Sequence, residues 1–398
     1  MLTRILAAFV AVLTLAALLA CSSDPPVAHN DHTEINGEVV HPPGTPVRPW
    51  STIVDPAATG TYTSRVVIPT KDNGCLMMGA VAIGDPMASD ALVIKFDSRG
   101  GIEWRREYDG GWYDNVHAGC ATADGNLAMV GITSPSRQNL RKLTANGDVL
   151  WESDLGNLFL NSNNVLTETT DGGFVVVGRY PSVNARPKII RTDKSGNVLW
   201  SKTLQVSDHS DIRAVVETSD GGFLCASVRN RFDHMAADML LIKTDSDGNP
   251  AWQREFGRVG VDVPMALVRV NDSYVMAGWG VGTGGYDIIL YAVDASGTLL
   301  WEYQDHSPTT TDCADMCLAE NGDLLLVGRQ MPGVCGGTGN ILVSRIARGG
   351  RLLWQKTYDQ GQFGYYPAIA EAADGGILVT YDKGPRAHVM KLGPNGEL

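Results

Sequence analysis

Three features of the sequence predict an all-β protein, a seven-bladed β-propeller with four antiparallel strands per blade. The first is a turn followed by an apolar run, repeated as DNGCLMMG at Asp72, DGNLAMVG at Asp124, DGGFVVVG at Asp171, DGGFLCAS at Asp220, NDSYVMAG at Asn271, NGDLLLVG at Asn321 and DGGILVTY at Asp374. The starts of these seven copies lie 47 to 53 residues apart, the spacing of a four-stranded blade. The second is a strand that runs through a Gly turn into a tryptophan, at Trp104, Trp151, Trp200, Trp252, Trp301 and Trp354. The third is composition: 45 Gly and 9 Trp in 398 residues, with few long helix-forming stretches, imply many tight turns.

Each period supplies four strands, here a to d from the inside out. In the fourth copy they are expected at Asp211 to Thr218, Phe223 to Val228, Asp238 to Thr244 and Ala251 to Phe256. Asp-Gly-Gly and Asp-x-x-Gly form the hairpin turns, because Gly accepts positive φ and Asp bonds the backbone two residues on. The seventh copy ends at Gly396-Glu397-Leu398, before its tryptophan, while an unassigned Trp50 stands upstream. Residues Val47 to Val54 are therefore expected to supply strand d of blade seven. Such an N-terminal strand closes the last blade, and the ring resembles that of WD-repeat proteins.

Residues 1–20 carry one early charge, Arg4, and an apolar run from Ile5 to Ala20, the layout of an export signal. Leu18-Leu19-Ala20-Cys21 resembles a bacterial lipobox, which implies a lipoprotein signal peptide over 1–20 and lipidation of Cys21. Ser22 after the cysteine implies an outer-membrane rather than an inner-membrane address within the cell envelope. Residues 21–46 are polar and contain Pro25, Pro26, Pro42, Pro43 and Pro46, so they read as a tether ahead of the propeller at 47–398. Acidic groups number 44 against 32 basic ones, a net charge of −12 that excludes a generic nucleic-acid binder.

The strand, Asp-x-x-Gly and Trp hairpin resembles the tryptophan-docking repeat of PQQ-type propellers. That resemblance implies the fold, but quinoprotein dehydrogenases of the group carry adjacent cysteines beside the quinone, and no Cys-Cys pair exists here. No cofactor is therefore expected. The same group includes the lipoprotein scaffold of the bacterial outer-membrane barrel-assembly machinery. It has eight blades and a shorter repeat, so it implies only the precedent of an anchored, non-catalytic propeller.

Binding groups usually ride on the longer loops of a rigid scaffold, here the b–c and d–a connections at one mouth of the channel. Counting nine residues back from each a–b turn gives a polar ring of Thr63, Asn115, Ser162, Asp211, Asp262, Asp312 and Tyr365. Asp211, Asp262 and Asp312 on successive blades could gather at the mouth and hold a cation or a basic group, although no metal is assigned. Two residues further on come Arg65, His117, Asn164, Arg213, Pro264, Ala314 and Pro367. Trp112 with Tyr113, Trp279 with Tyr286, and Tyr365 with Tyr366 would add aromatic area for a protein or glycan. Basic residues recurring in strand c, with Glu168, Glu217 and Glu371 in strand a, read as structural pairing within blades. Cys313 and Cys335 are expected to form a disulfide, with Cys75, Cys120, Cys225 and Cys317 as thiols inside strands.

The resulting expectation is a monomeric binding or scaffolding propeller, without an enzyme activity of its own. Its partners would be the membrane, through the Cys21 lipid, and a protein or glycan on the long-loop face. The competing reading is an envelope enzyme acting on a polysaccharide at the channel mouth, using Asp211, Asp262, His117 and Arg213.

Overall fold

The structure is a computed structural model. It describes residues 47–398 apart from 56–59, 84–87, 112, 135–136, 161, 163, 180–185, 205, 207–209, 231–236, 283, 334–338, 362–363 and 365. Seven four-stranded antiparallel sheets follow one another along the chain. The innermost strands, a, are Thr61–Pro69, Asn115–Ala121, Leu166–Glu168, Ser210–Glu217, Asp262–Val270, Thr310–Leu318 and Ala368–Glu371. Blade four spans Ser210–Glu217, Phe223–Asn230, Ala237–Thr244 and Pro250–Phe256, each strand within two residues of its expected limits.

The seventh sheet has the order Trp50–Ile53, Arg386–Leu392, Ile377–Lys383, Ala368–Glu371. Its outermost strand is the N-terminal one, with Trp50 opposite Lys391 and Ile53 opposite His388. The two ends of the propeller thus share one sheet, so neither can leave without breaking a blade. Without it, strand Arg386–Leu392 would present an unpaired edge.

The core lies between blades. Phe174 of blade three meets Trp151 of blade two edge-on with ring centroids 5.9 Å apart, and Phe223 of blade four meets Trp200 of blade three at 6.0 Å. At the closure, Trp50 stacks on Phe96 at 6.2 Å. The apolar runs of strands b and c are buried on both faces, as in VVV of Val175–Val177 and LLI of Leu240–Ile242. That explains why these strands read as continuous hydrophobic stretches rather than as alternation.

The basic residues of strand c bind the aspartates of their own a–b turns: Lys95 with Asp72, Lys142 with Asp124, Arg191 with Asp171, Lys243 with Asp220, Arg345 with Asp323 and Lys391 with Asp374. The pairing is within blades, as expected. The glutamates of strand a act differently, and this corrects the sequence reading. Glu168 accepts the Ala123 amide, Glu217 the Thr170 amide and Glu371 the Glu320 amide. Each glutamate therefore caps a turn of the preceding blade.

Candidate functional site

Strand a carries a bulge where it lines the channel. Register shifts fall between Ser64 and Val66, Val116 and Ala118, Ile212 and Ala214, Pro264 and Ala266, and Cys313 and Asp315. The bulged residues are Arg65, His117, Arg213, Met265 and Ala314, since a bulge leaves one residue without a cross-strand partner. Four of these five stand where counting from the turns expects them. In blade five the expected Pro264 is displaced by one, because Arg269 pairs with Tyr274 across four residues, whereas Glu217 pairs with Phe223 across five in blade four.

The same slip moves Asp262. Its register equivalent in blade four is Ser210, while Asp211 corresponds to Val263. Asp262 is buried at the junction of blades four and five, where its Oδ2 accepts the Arg258 amide at 2.6 Å. Asp312 is held inside blade six by Arg329, whose backbone amide donates at 2.7 Å and whose Nε donates at 2.9 Å. Asp211 lies 3.9 Å from Arg179 and 3.7 Å from Arg213. The three carboxylates are thus not brought together. Among the described residues the one three-carboxylate group of metal-ligating size is Asp90, Asp109 and Asp114.

Side chains close the channel across its width. Asn164 of blade three donates from Nδ2 to Asp315 of blade six at 2.9 Å. Asp315 also accepts the amides of Met316 and, from blade seven, Ile369. Ser162 reaches the Met265 carbonyl of blade five at 3.2 Å, and Arg213 approaches the Met265 sulfur at 3.6 Å. Blade three can reach inward because its strand a is reduced to Leu166–Glu168. Burial pushes the Asp315 carboxyl up to about 6.

His117 is held neutral, its pKa lowered to about 3 by burial and by the Arg65 guanidinium. A base with so low a pKa has little proton affinity at neutral pH. Arg65 stacks over Tyr366 at 3.8 Å. Asn115 is buried at the start of its strand. Trp279 sits in strand b of blade five rather than in a loop, 4.7 Å from Tyr286, and packs with Tyr366 on Val228, Ala237, Val263 and Met265.

Trp112, Tyr365, Cys21 and Cys335 lie outside the described residues. Cys313 carries a free, buried thiol among Ala266, Met316 and Leu326, its Sγ 3.6 Å from the Asp315 carbonyl. Cys313 thus lies in strand a, as expected, while its expected partner Cys335 falls outside the described residues. Cys75, Cys120, Cys225 and Cys317 are free thiols within strands, as expected.

The two faces differ. The short-turn face has two open concavities, one of about 490 Å³ lined by Pro69, Lys71, Cys317, Glu320 and Ala372 and one of about 690 Å³ lined by Asp124, Lys142, Glu168, Asp171 and Glu217. Sequence reasoning placed no site there, and the charged residues of the second already serve as turn and blade connections. The long-loop face exposes apolar side chains: Ile83, Tyr113, Phe159, Val281 and Val259, the last 96% exposed. Their equivalents in other blades are not apolar by repeat, so no periodicity signals them.

Solved structures share the ring at low identity. A puromycin hydrolase S511A mutant complexed with PGG is 12% identical, with a TM-score of 0.56 over 84% of this chain and 52% of that one. The Pseudomonas aeruginosa periplasmic gluconolactonase PpgL is 12% identical, with 0.54 over 85% and 94%. Sqt1 from Chaetomium thermophilum is 11% identical, with 0.50 over 86% and 100%. These likenesses concern the fold alone. No curated protein matches the chain in sequence. The family model described as outer membrane protein assembly factor BamB matches residues 136–394. With seven four-stranded blades and that match spanning well over half of its length, the chain belongs to this family of PQQ-type propellers.

Proposed function

We propose that this chain is a lipid-anchored binding or scaffolding propeller of the bacterial cell envelope, which docks a protein partner on its b–c/d–a face. One observation carries the reading. Polar contacts such as Asn164 with Asp315 tie the disc together across the channel, while the long-loop face exposes Ile83, Tyr113, Phe159, Val259 and Val281. Exposed apolar groups on a rigid frame favour protein association over water. The apolar residues of the outer rim, such as Leu150, Leu199 and Leu300, differ in kind: each precedes the blade tryptophan and belongs to the repeat.

Two further facts support the reading. The family description concerns outer membrane protein assembly, and the lipobox at Leu18-Leu19-Ala20-Cys21 would tether the ring to a membrane surface. Residues 21–46 would then give the disc a reach of about 25–30 Å as a flexible chain.

The test is in-cell crosslinking of the full-length lipidated chain, followed by mass spectrometry. It compares wild type with Val259→Asp/Val281→Asp; these two sites adjoin, since a methyl on Gly260 would fall 2.6 Å from Val281. The expected result is a specific envelope protein lost in the double variant while its unfolding midpoint stays unchanged. Retention of the same partner, or recovery of a glycan alone, would overturn docking of a protein on this face.

A further inference from the structure

At the junction of blades one and two, three carboxylates converge from three elements. Asp90 opens strand c of blade one, Asp109 follows its strand d, and Asp114 immediately precedes strand a of blade two. One oxygen from each lies within 4.8 Å of the other two. The loop between them is fastened: the Gly110 amide donates to Asp114 Oδ2 at 2.6 Å and the Gly111 amide to Asp109 Oδ1 at 2.7 Å. Asp114 is wholly buried, and its second oxygen, Oδ1, has no hydrogen-bond partner. A buried carboxylate oxygen without a donor carries the full cost of its lost hydration.

The fold supplies an internal comparison. At the junction of blades four and five the Arg258 amide donates to Asp262 Oδ2 at 2.6 Å, the same contact four residues back that Gly110 makes with Asp114. Asp238 takes the place of Asp90 near the start of strand c. Gly257 takes the place of Asp109, five residues before the strand-a carboxylate. A methyl group on Gly257 would sit 2.7 Å from Asp238 Oδ1 and 3.0 Å from Asp262 Oδ2. A side chain at this position is therefore directed between two carboxylates, and at the first junction that side chain is itself a carboxylate.

We propose that Asp90, Asp109 and Asp114 form a divalent-cation site, fitted to Ca²⁺, that clamps blade one to blade two beneath the long-loop face. Ca²⁺ takes six to eight oxygen ligands in flexible geometry, with carboxylates supplying the charge and water or carbonyl oxygens completing the shell. Burial, with the mutual repulsion of the cluster, already raises the pKa of Asp90 and Asp114. A bound dication reverses that repulsion. The site stands independently of the protein-docking reading, because it concerns the blade junction and not a partner.

The experiment is calorimetric titration of CaCl₂ into the full-length chain, purified in detergent and stripped with chelator, paired with thermal unfolding. One Ca²⁺ per chain and a higher midpoint with Ca²⁺ are expected. Asp109→Asn, at an exposed position, should fold normally in chelator yet bind Ca²⁺ about tenfold or more weakly, since affinity follows ligand charge. Asp90→Asn should do the same, and Asp262→Asn should leave the Ca²⁺ affinity unchanged. Wild type without saturable binding, or Asp109→Asn and Asp90→Asn binding as wild type, would overturn the proposal.

Discussion

Gly248 of blade four lies against the indole face of Trp200 in blade three, so close that a methyl group on the glycine would fall 2.6 Å from the ring. The glycine stands at φ +77°, a left-handed conformation that side chains other than Gly adopt at a cost. The relation repeats around the ring as Gly147 on Trp104, Gly196 on Trp151, Gly297 on Trp252, Gly350 on Trp301, Gly396 on Trp354 and Gly100 on Trp50. It gives the Asp-x-x-Gly and Trp spacing a physical cause: the turn of one blade is the lid on the tryptophan of the blade before. Gly248→Ala combines the conformational cost with overpacking and should destabilise the protein by about 1–3 kcal/mol. Urea unfolding of this variant, compared with Gly221→Ala, separates the two causes. Gly221 has nearly the same φ, +78°, but open space around it, so an equal loss in both variants would rule out the packing contribution.

The closing pair predicts where the ring first opens. Trp50 holds the N-terminal strand to blade seven by its own docking on Gly100, its stacking on Phe96 and four residues of pairing. A strand of four residues is a short edge, and its loss leaves Arg386–Leu392 uncovered. Trp50→Ala should therefore release this strand without unfolding the other six blades. Limited proteolysis with thermolysin should cut before Ile53 or Val54 faster than in wild type, while the far-ultraviolet dichroism stays close to wild type. Unchanged cleavage would show that the backbone pairing alone fastens the closure.

Much of this architecture was legible because repetition amplifies weak signals. One Asp- or Asn-containing turn before an apolar run means little, but seven of them 47 to 53 residues apart, six followed by a tryptophan, define blades, strand order and even the missing strand. The site was far less legible for the same reason. Counting from the turns carried Asp262 one residue out of register, since the Asn271-Asp272 turn is shorter and the alternation of strand faces turns one residue into a change of environment. The contact of Asn164 with Asp315 joins blades three and six, and no spacing along the chain records a contact across a ring. The Asp109 position had a signal that went unused: aligning Asp109 with Gly257 shows a carboxylate where the other copy has none.

The buried thiols give a third prediction. Burial pushes Cys75 and Cys225 up to about 12, and it raises Cys313 well above the ordinary thiol range, helped by Asp315 and Asp312. The thiolate is the reactive form, and these three side chains are also closed to reagent. Iodoacetamide at pH 8 should label them slowly in the native protein and fully in guanidinium. Rapid native labelling of Cys313 would mean that blade six opens at the bulge far more often than its packing implies. Failure to label it after unfolding without reductant would instead place it in a disulfide.

Acid stability should pass through a maximum, and the sign follows from two opposed sets of carboxyls. Burial raises Asp305, Asp315 and Asp382 to about 6, above the unfolded value of about 3.9. The folded state then binds more protons between these limits, so the stabilisation from these groups is complete below about pH 4 and is lost as pH rises through 6. The turn aspartates behave oppositely. The Thr169 hydroxyl, with Gly173 and Arg191, holds Asp171 at about 2, and the Thr218 hydroxyl, followed by Lys243, does so for Asp220. Their contribution is present above about 3.9 and disappears as pH falls through 2. Unfolding free energy should accordingly rise from pH 7 to pH 5, level off near pH 4 and fall toward pH 2. Asp315→Asn keeps the shape of the side chain and its place opposite Asn164 but removes the titration. It should flatten the limb between pH 7 and 5, by at most about 3 kcal/mol at one pKa unit per 1.36 kcal/mol. A limb parallel to that of wild type would show that this channel carboxylate exchanges no proton with the solvent on folding.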